Sequence, residues 1–474
     1  MLILCRRLVR QRSRVLASLA AGLLVLMGSA THAPVQAADD SQTTARLEIR
    51  PGDHIGIVGN TLADRMQHDG WLETYFYTRF PKHDLVFRNL GFSGDELTLR
   101  LRSDGFGSPD EWLTRTKADA VFAFFGYNES FAGPASLNNF KKDLADFIKH
   151  TLSQKYNGKS APRLVIFSPI AHENLRDRNF PDGRDNNKRL EIYTLAMRQV
   201  CSANRIPFVD LFQPTRELYG KAQKPLTING VHLTAEGNRR LAEIIDRALF
   251  PNDVPGGRET QAIEKVRQAI LDKNFYWFHR YRTVDGYNVY GGRSHEKYAQ
   301  GQTNEFQTNR VVMQREMEIL DAMTANRDKR IWAVAQGHDL KVDDSNTPPF
   351  IPTKTNKPGP GPGGTFLFLD GEEAIKKMTV ANGMKVSLFA SEKEFPELAK
   401  PVQMQFDNKG RLWVAVIPSY PHWKPKEEMN DKLLVFEDTD GDGKADKMTV
   451  FADHLNCPTG FEFYNGGVLV AQAP

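Results

Sequence analysis

"IVGNTLADR", Ile57 to Arg65, sets an apolar run against a glycine, then a short polar residue, then a helical pattern. A strand that turns through glycine into a helix is where an open parallel sheet places its ligands, outside the carboxyl end of the strand. It is also where a nucleophile can sit, and the hydroxyl at this turn belongs to Thr61. Outward from it, residues from about Leu47 to Phe250 alternate apolar strands with helices, the βαβ signature. "HIGIVG", "DLVFRNLG", "DAVFAFFG", "RLVIFSPI" and "IPFVDLF" are the expected strands, and their unbroken apolar character suits a parallel sheet buried on both faces. "SLNNFKKDLADFIKHTLSQ", "NKRLEIYTLAMRQVCSANR" and "TAEGNRRLAEIIDRALF" carry helical spacing between and after them.

The residues at the end of each strand decide the chemistry. After the first come Gly59, Asn60 and Thr61. After the second come Gly91, Ser93 and Gly94, after the third Gly126 to Ser130, and after the fourth His172 and Glu173. "NGVHLTAEG", Asn229 to Gly237, precedes the last helix. Small polar residues and glycines thus recur at one sheet edge, which points to acyl transfer. Thr61 is the candidate nucleophile and His232 its base. Asn229, three residues earlier, is placed to hold the imidazole. The Gly94 N–H and the Asn128 side chain are candidate oxyanion donors. Ser93 is a weaker nucleophile candidate, since Asp95 breaks the Gly-x-Ser-x-Gly pattern. Glu129 and Glu173 are alternative partners for His232, with solvated or capping acids as the plainer expectation, and His172 reads as a hydrogen-bonded wall residue.

These blocks resemble those of the SGNH, or GDSL-like, hydrolases. The Gly-Asp-Ser block matches Gly59-Asn60-Thr61 and the oxyanion glycine matches Gly94. Gly-x-Asn-Asp matches Gly126-Tyr127-Asn128-Glu129, and Asp-x-x-His matches Asn229-Gly230-Val231-His232. The resemblance implies an α/β, flavodoxin-like three-layer domain over residues 45–250 and an ester hydrolase acting on acyl or acetyl esters, with carbohydrate esters among the candidates. The departures from the pattern matter where the chemistry sits: Thr61 replaces serine and Asn229 replaces aspartate. The extra methyl of threonine restricts χ1, and asparagine cannot stabilise an imidazolium by charge. The alternative expectation is therefore a catalytically inactive module that binds glycan or a partner.

The chain has 474 residues, enough for two or three domains, with ordinary apolar and charged fractions. Its formal charge is +4, and Arg6, Arg7, Arg10, Arg12 and Arg14 more than account for it. The body is near neutral, which argues against nucleic acid as a partner. The basic start, the apolar "VLASLAAGLLVLMG" and "APVQAADD" read as a leader cleaved after Ala37, so secretion or a periplasmic location is expected. Left uncleaved, the leader would tether the chain to a membrane. Beyond Cys5, the cysteines Cys201 and Cys457 form no framework or metal spacing.

Residues 251–345 read as a helical connector whose aromatic cluster, Phe275 to Tyr281, is expected to pack on the first domain. Residues 346–364 are a Pro/Gly linker. From 365 to 474 the pattern turns to period two, as in "KVSLFAS", "VQMQFDNKGRLWVAV", "KLLVFED" and "KMTVFAD", the outline of an incomplete all-β, propeller-like segment. With "SYPHW" and "EDTDGDGKADKMTVFAD", this half resembles the start of planctomycete-type putative membrane-bound dehydrogenases, in which an SGNH-like domain precedes a sugar-dehydrogenase-like propeller and a haem domain. That implies a chain cut short and a scaffold role. In "DTDGDGKADK", Asp438, Asp440, Asp442 and Asp446 follow the early spacing of a calcium loop. Thr449 stands where an EF-hand needs glutamate, so a Ca2+-binding hairpin or a plain Asp/Gly turn is expected. No other cofactor is expected.

Overall fold

The computed structural model describes residues 47–251, 260–283, 286–297, 307–353, 361–362, 368–420 and 423–472. The expected leader at 1–37 lies outside them. The elements run β1 (His54–Gly59), α1 (Thr61–Asp69), α2 (Trp71–Arg79), β2 (Val86–Asn89), α3 (Pro109–Arg115), β3 (Ala120–Phe124), α4 (Leu137–Ser153), β4 (Arg163–Phe167), α5 (Arg184–Ala203), β5 (Phe208–Val209), α6 (Phe212–Lys221) and α7 (Ala235–Leu249). All five strands pair in parallel in the order β2-β1-β3-β4-β5. This is the flavodoxin-like order, and it reverses between β1 and β3, where such sheets bind ligands.

Alternation along the strands builds both cores. Ile55, Ile57, Phe122, Phe124, Val165 and Phe167 face one helical layer, with Phe76, Leu241 and Ile245 packed on them. Val58, Val121, Ala123 and Ile166 face the other, against Leu144, Tyr193 and Met197. On α7 the buried Leu241, Ala242, Ile245 and Leu249 recur at helical spacing and form its inward stripe. Thr234 caps that helix by accepting from Gly237 N, and Arg79 of α2 holds Asp246 through two bonds of 2.9 and 2.6 Å.

The fifth strand is shorter than "IPFVDLF" suggests. Ser168 Oγ accepts from the backbone N–H groups of Leu211 and Phe212, which turns the chain into α6 after two ladder residues.

The next helices, α8 (Thr260–Arg282), α9 (Gly286–Val289) and α10 (Asn309–Ala335), lie against this layer. Trp277 and Tyr281 of α8 donate to the carbonyls of Asn89 and Leu90 at the end of β2. Trp332 of α10 donates to Leu85 O, and Arg88 of β2 binds Asp328 of α10 with both guanidinium nitrogens. Lys273 of α8, fully buried, places Nζ 2.7 Å from the buried Glu73 carboxylate of α2, and Asn274 donates to the other oxygen at 2.8 Å. Desolvation pulls the Lys273 ammonium below its ordinary range, against the pull of Glu73. The described residues, from 47 onward, belong to one compact unit.

After a short helix, α11 (Gly371–Lys376), come β6 (Pro401–Phe406), β7 (Leu412–Val416), β8 (Asp431–Glu437), β9 (Lys447–Leu455), β10 (Gly460–Tyr464) and β11 (Gly467–Ala471). β6 to β9 form an antiparallel sheet in sequence order, and β10 pairs with β11. "KVSLFAS", Lys385–Ser391, is not a strand. Phe389 and Ala390 pack on the sheet's apolar face, and Phe389 O accepts from Ala445 N, without a continuous ladder. Among the described residues no helix is long and apolar enough to cross a membrane.

Candidate active site

Only glycine allows the turn after β1. Gly59 has φ +142°, and a Cβ on it would lie 2.2 Å from Phe124 O. The close approach lets Asn60 N donate to Phe124 O at 3.1 Å and brings the ends of β1 and β3 together. Asn60 then caps α1 by accepting from Leu62 N at 3.1 Å, as a short polar residue at N-cap should. Thr61 is the first residue of the helix, half-buried, and lines a cavity of about 230 Å³.

Asn128 and His232 line the same cavity, with Phe124, Ile170 and Leu233 among its apolar walls. Thr61 and His232 share this space without a hydrogen bond between them. Asn128 Nδ2 donates to Asp95 O at 3.2 Å, which ties the β3 turn to the loop bearing Gly94, and its second N–H remains for a substrate oxygen. Gly94 itself is exposed, with φ +91°, and lies outside the cavity lining.

Asn229 lies against His232. Its Oδ1 accepts the backbone N–H of His232 at 2.9 Å and of Val231 at 3.2 Å, which fixes the orientation of the carboxamide. Nδ2 is then 2.9 Å and Oδ1 3.1 Å from His232 Nδ1. Burial first, and the charge of Arg65 second, lower the His232 pKa, so the neutral imidazole a base requires is favoured.

The surrounding acids are committed elsewhere. Ser93 Oγ donates to Asp64 Oδ2 at 2.7 Å, and Arg282 binds the same oxygen at 3.1 Å, so Ser93 is a loop tie. Glu129 accepts from Leu97 N and Gly126 N, with burial raising its carboxyl pKa. Glu173 accepts from Leu226 N, Thr227 N and Thr227 Oγ1, and Thr227 Oγ1 accepts from Gly230 N. Both glutamates are thus spent on backbone donors and not on His232. Glu173 braces the loop that carries the histidine, a role sequence spacing could not signal because its partners lie more than fifty residues away. His172 is wedged between Gly183 and Gly230, with Nδ1 on Asn186 Nδ2 at 2.9 Å and Nε2 buried without a hydrogen-bond partner among the described residues.

At the other end of the chain, carboxylates of Asp438, Asp440 and Asp442 come within 4.8 Å of one another, a donor set that suits a hard cation. Asp446 does not join them. It accepts from Thr439 N and Oγ1, and Asp438 also holds Gly441 N and Gly443 N, so the loop closes on its own backbone.

Residues 55–240 match the family model described as GDSL-like Lipase/Acylhydrolase, and residues 370–474 match one described only as Domain of unknown function (DUF7133). No curated protein matches. Solved structures similar to part of the chain include a gut microbial diltiazem-metabolizing enzyme, at 18% identity over 44% of this chain and 48% of that one, TM-score 0.34. The chain thus spans about half the length of that structure. An acetylxylan esterase from Geobacillus stearothermophilus aligns at 15% identity over 45% of this chain and 100% of its own, TM-score 0.35. A carbohydrate acetylesterase from Sinorhizobium meliloti aligns at 14% over 42% and 99%, TM-score 0.31. Residues 55–240, with their 2-1-3-4-5 parallel sheet, thus form a domain that matches the GDSL-like lipase/acylhydrolase family.

Proposed function

We propose that this domain hydrolyses small esters, with Thr61 as nucleophile, His232 as general base, Asn229 as its orienting partner, and the Asn128 side chain as oxyanion donor. The observation that carries it is the meeting of Thr61, Asn128 and His232 in one cavity at the β1/β3 switch point. Thr61 Oγ1 attacks the carbonyl carbon as its proton passes to His232, and the carbonyl π electrons move to the oxygen facing Asn128. Collapse expels the alcohol, which takes the proton from His232, and water repeats the sequence on the acyl-threonine. A cavity of about 230 Å³ with apolar walls suits a short acyl group such as acetyl, on an alcohol that includes carbohydrates. The leader-like opening of the sequence supports action outside the cytoplasm.

The full chain should hydrolyse p-nitrophenyl acetate, Thr61→Ala and His232→Ala should each abolish it, and Thr61→Ser should increase it. Turnover unchanged by both alanine variants would defeat the assignment. The carboxamide at Asn229 favours a second reading, a binding module of a larger assembly, because it leaves His232 without a carboxylate partner among the described residues. Glycan binding by a chain inert in all forms, Thr61→Ser included, would select that reading.

A further inference from the structure

Among the described residues that line the cavity, none is an aspartate or glutamate, and Arg65 supplies the one fixed formal charge. The nearby acids are held away: Asp64 by Ser93 and Arg282, Asp69 by Asn238, Glu129 and Glu173 by backbone N–H groups. At His232 the partner is a neutral carboxamide.

Arg65 also differs from several buried and partly buried arginines of this fold. Arg79, Arg88, Arg102, Arg163 and Arg282 each lie on a carboxylate at 3.1 Å or less. The exposed Arg65 guanidinium has no hydrogen bond or ion pair among the described residues. It sits four residues after Thr61, one turn along the same helix face, where side chains are neighbours. Its charge is felt at His232. The amino end of α1 adds positive potential at the same place.

We infer that the preferred substrate carries a carboxylate or similar anionic group beside its ester, and that Arg65 anchors it. This rests on the ester-hydrolase reading for turnover, and on the cavity alone for binding. A guanidinium fork suits a carboxylate through two parallel charge-assisted bonds. Anchoring at Arg65 holds the ester one helical turn away, at Thr61.

The test uses the full chain with 4-acetoxybenzoate and its neutral counterpart 4-acetoxybenzamide. The wild type should show a KM lower for the carboxylate by about tenfold, the size expected of one such contact. The ratio should fall toward one in Arg65→Gln and invert in Arg65→Glu, a comparison insensitive to general loss of activity. A ratio that is the same in wild type and Arg65→Gln overturns the inference. Absence of turnover of both esters would defeat the hydrolase reading and leave this one to calorimetry with 4-hydroxybenzoate and 4-hydroxybenzamide. Binding of the carboxylate about tenfold tighter, lost in Arg65→Gln, supports it. Equal or undetectable binding of the pair overturns it.

Discussion

The carboxamide of Asn229 faces His232 Nδ1 with both its atoms, Nδ2 at 2.9 Å and Oδ1 at 3.1 Å. Each contact serves a different tautomer. Donation from Nδ2 leaves the ring proton on Nε2, where it blocks the base. Acceptance by Oδ1 holds the proton on Nδ1 and frees Nε2 for Thr61. An aspartate would admit only the second. Asn229→Asp should therefore raise kcat, by about a hundredfold against the roughly 10⁴-fold loss seen for the reverse change in a serine protease. Steady-state hydrolysis of p-nitrophenyl acetate checks it, and a fall in kcat would contradict the tautomer account.

The pH profile should follow from the same ring. Burial and Arg65 lower the His232 pKa, so the deprotonated, active form persists to more acid pH than for an ordinary histidine. Activity should rise with pH through a single ionisation below 6.5, the ordinary histidine value, and be flat at neutrality. Arg65→Gln removes the second cause and should move this limb upward. kcat/KM measured from about pH 4 to 8 in both forms would show a shift or refute it.

Glu173 should act through the loop it braces. Truncation in Glu173→Ala strands buried N–H donors at Leu226 and Thr227, and should cost roughly 3 kcal/mol of stability. It should also lower kcat more than it changes KM, since His232 loses its fixed position. Thermal unfolding and kinetics on one preparation test both parts. A stable variant with native kcat would mean the loop holds itself.

Acid should weaken the contact between α8 and the segment joining β7 to β8. His279 packs on Phe275 and on Trp423 with ring centroids 4.6 and 5.0 Å away, and burial, helped by nearby His68, lowers its pKa to about 4. The unfolded chain takes up this proton near 6.5 and the folded chain does not. Stability is therefore full above 6.5 and falls by about 1.4 kcal/mol per pH unit between there and about 4. Urea unfolding followed by tryptophan fluorescence should show that slope, flattened in His279→Phe.

How much of this was legible in the sequence differs from residue to residue. Gly59 and Thr61 announced the first strand end because the turn is local: the glycine, the cap and the helix are consecutive. His232 and Asn229 were legible for the same reason, their contact spanning three residues. Ser93 was ambiguous because Asp64, which ties it, lies 29 residues earlier. Lys385–Ser391 had the period of a strand, but period describes side-chain facing and not whether a ladder partner exists. Arg65 carried no signal, since one arginine on a helix is ordinary until the sheet order places that helix at the switch point.

The Lys273–Glu73 pair bears on how this protein can be divided. The residues that match the acylhydrolase family end at 240, yet Glu73 inside them depends on an ammonium 200 residues further on. Cutting the chain after α7 would remove the Lys273 ammonium and the Asn274 amide that hold this carboxylate and would uncover the face of α2 on which α8 packs, a loss set against a total stability of about 5–15 kcal/mol. The boundary that the family match draws and the boundary that folding requires do not coincide: residues 55–240 share a buried ion pair with the helix beyond them, and a transplant of the smaller piece would leave part of its support behind.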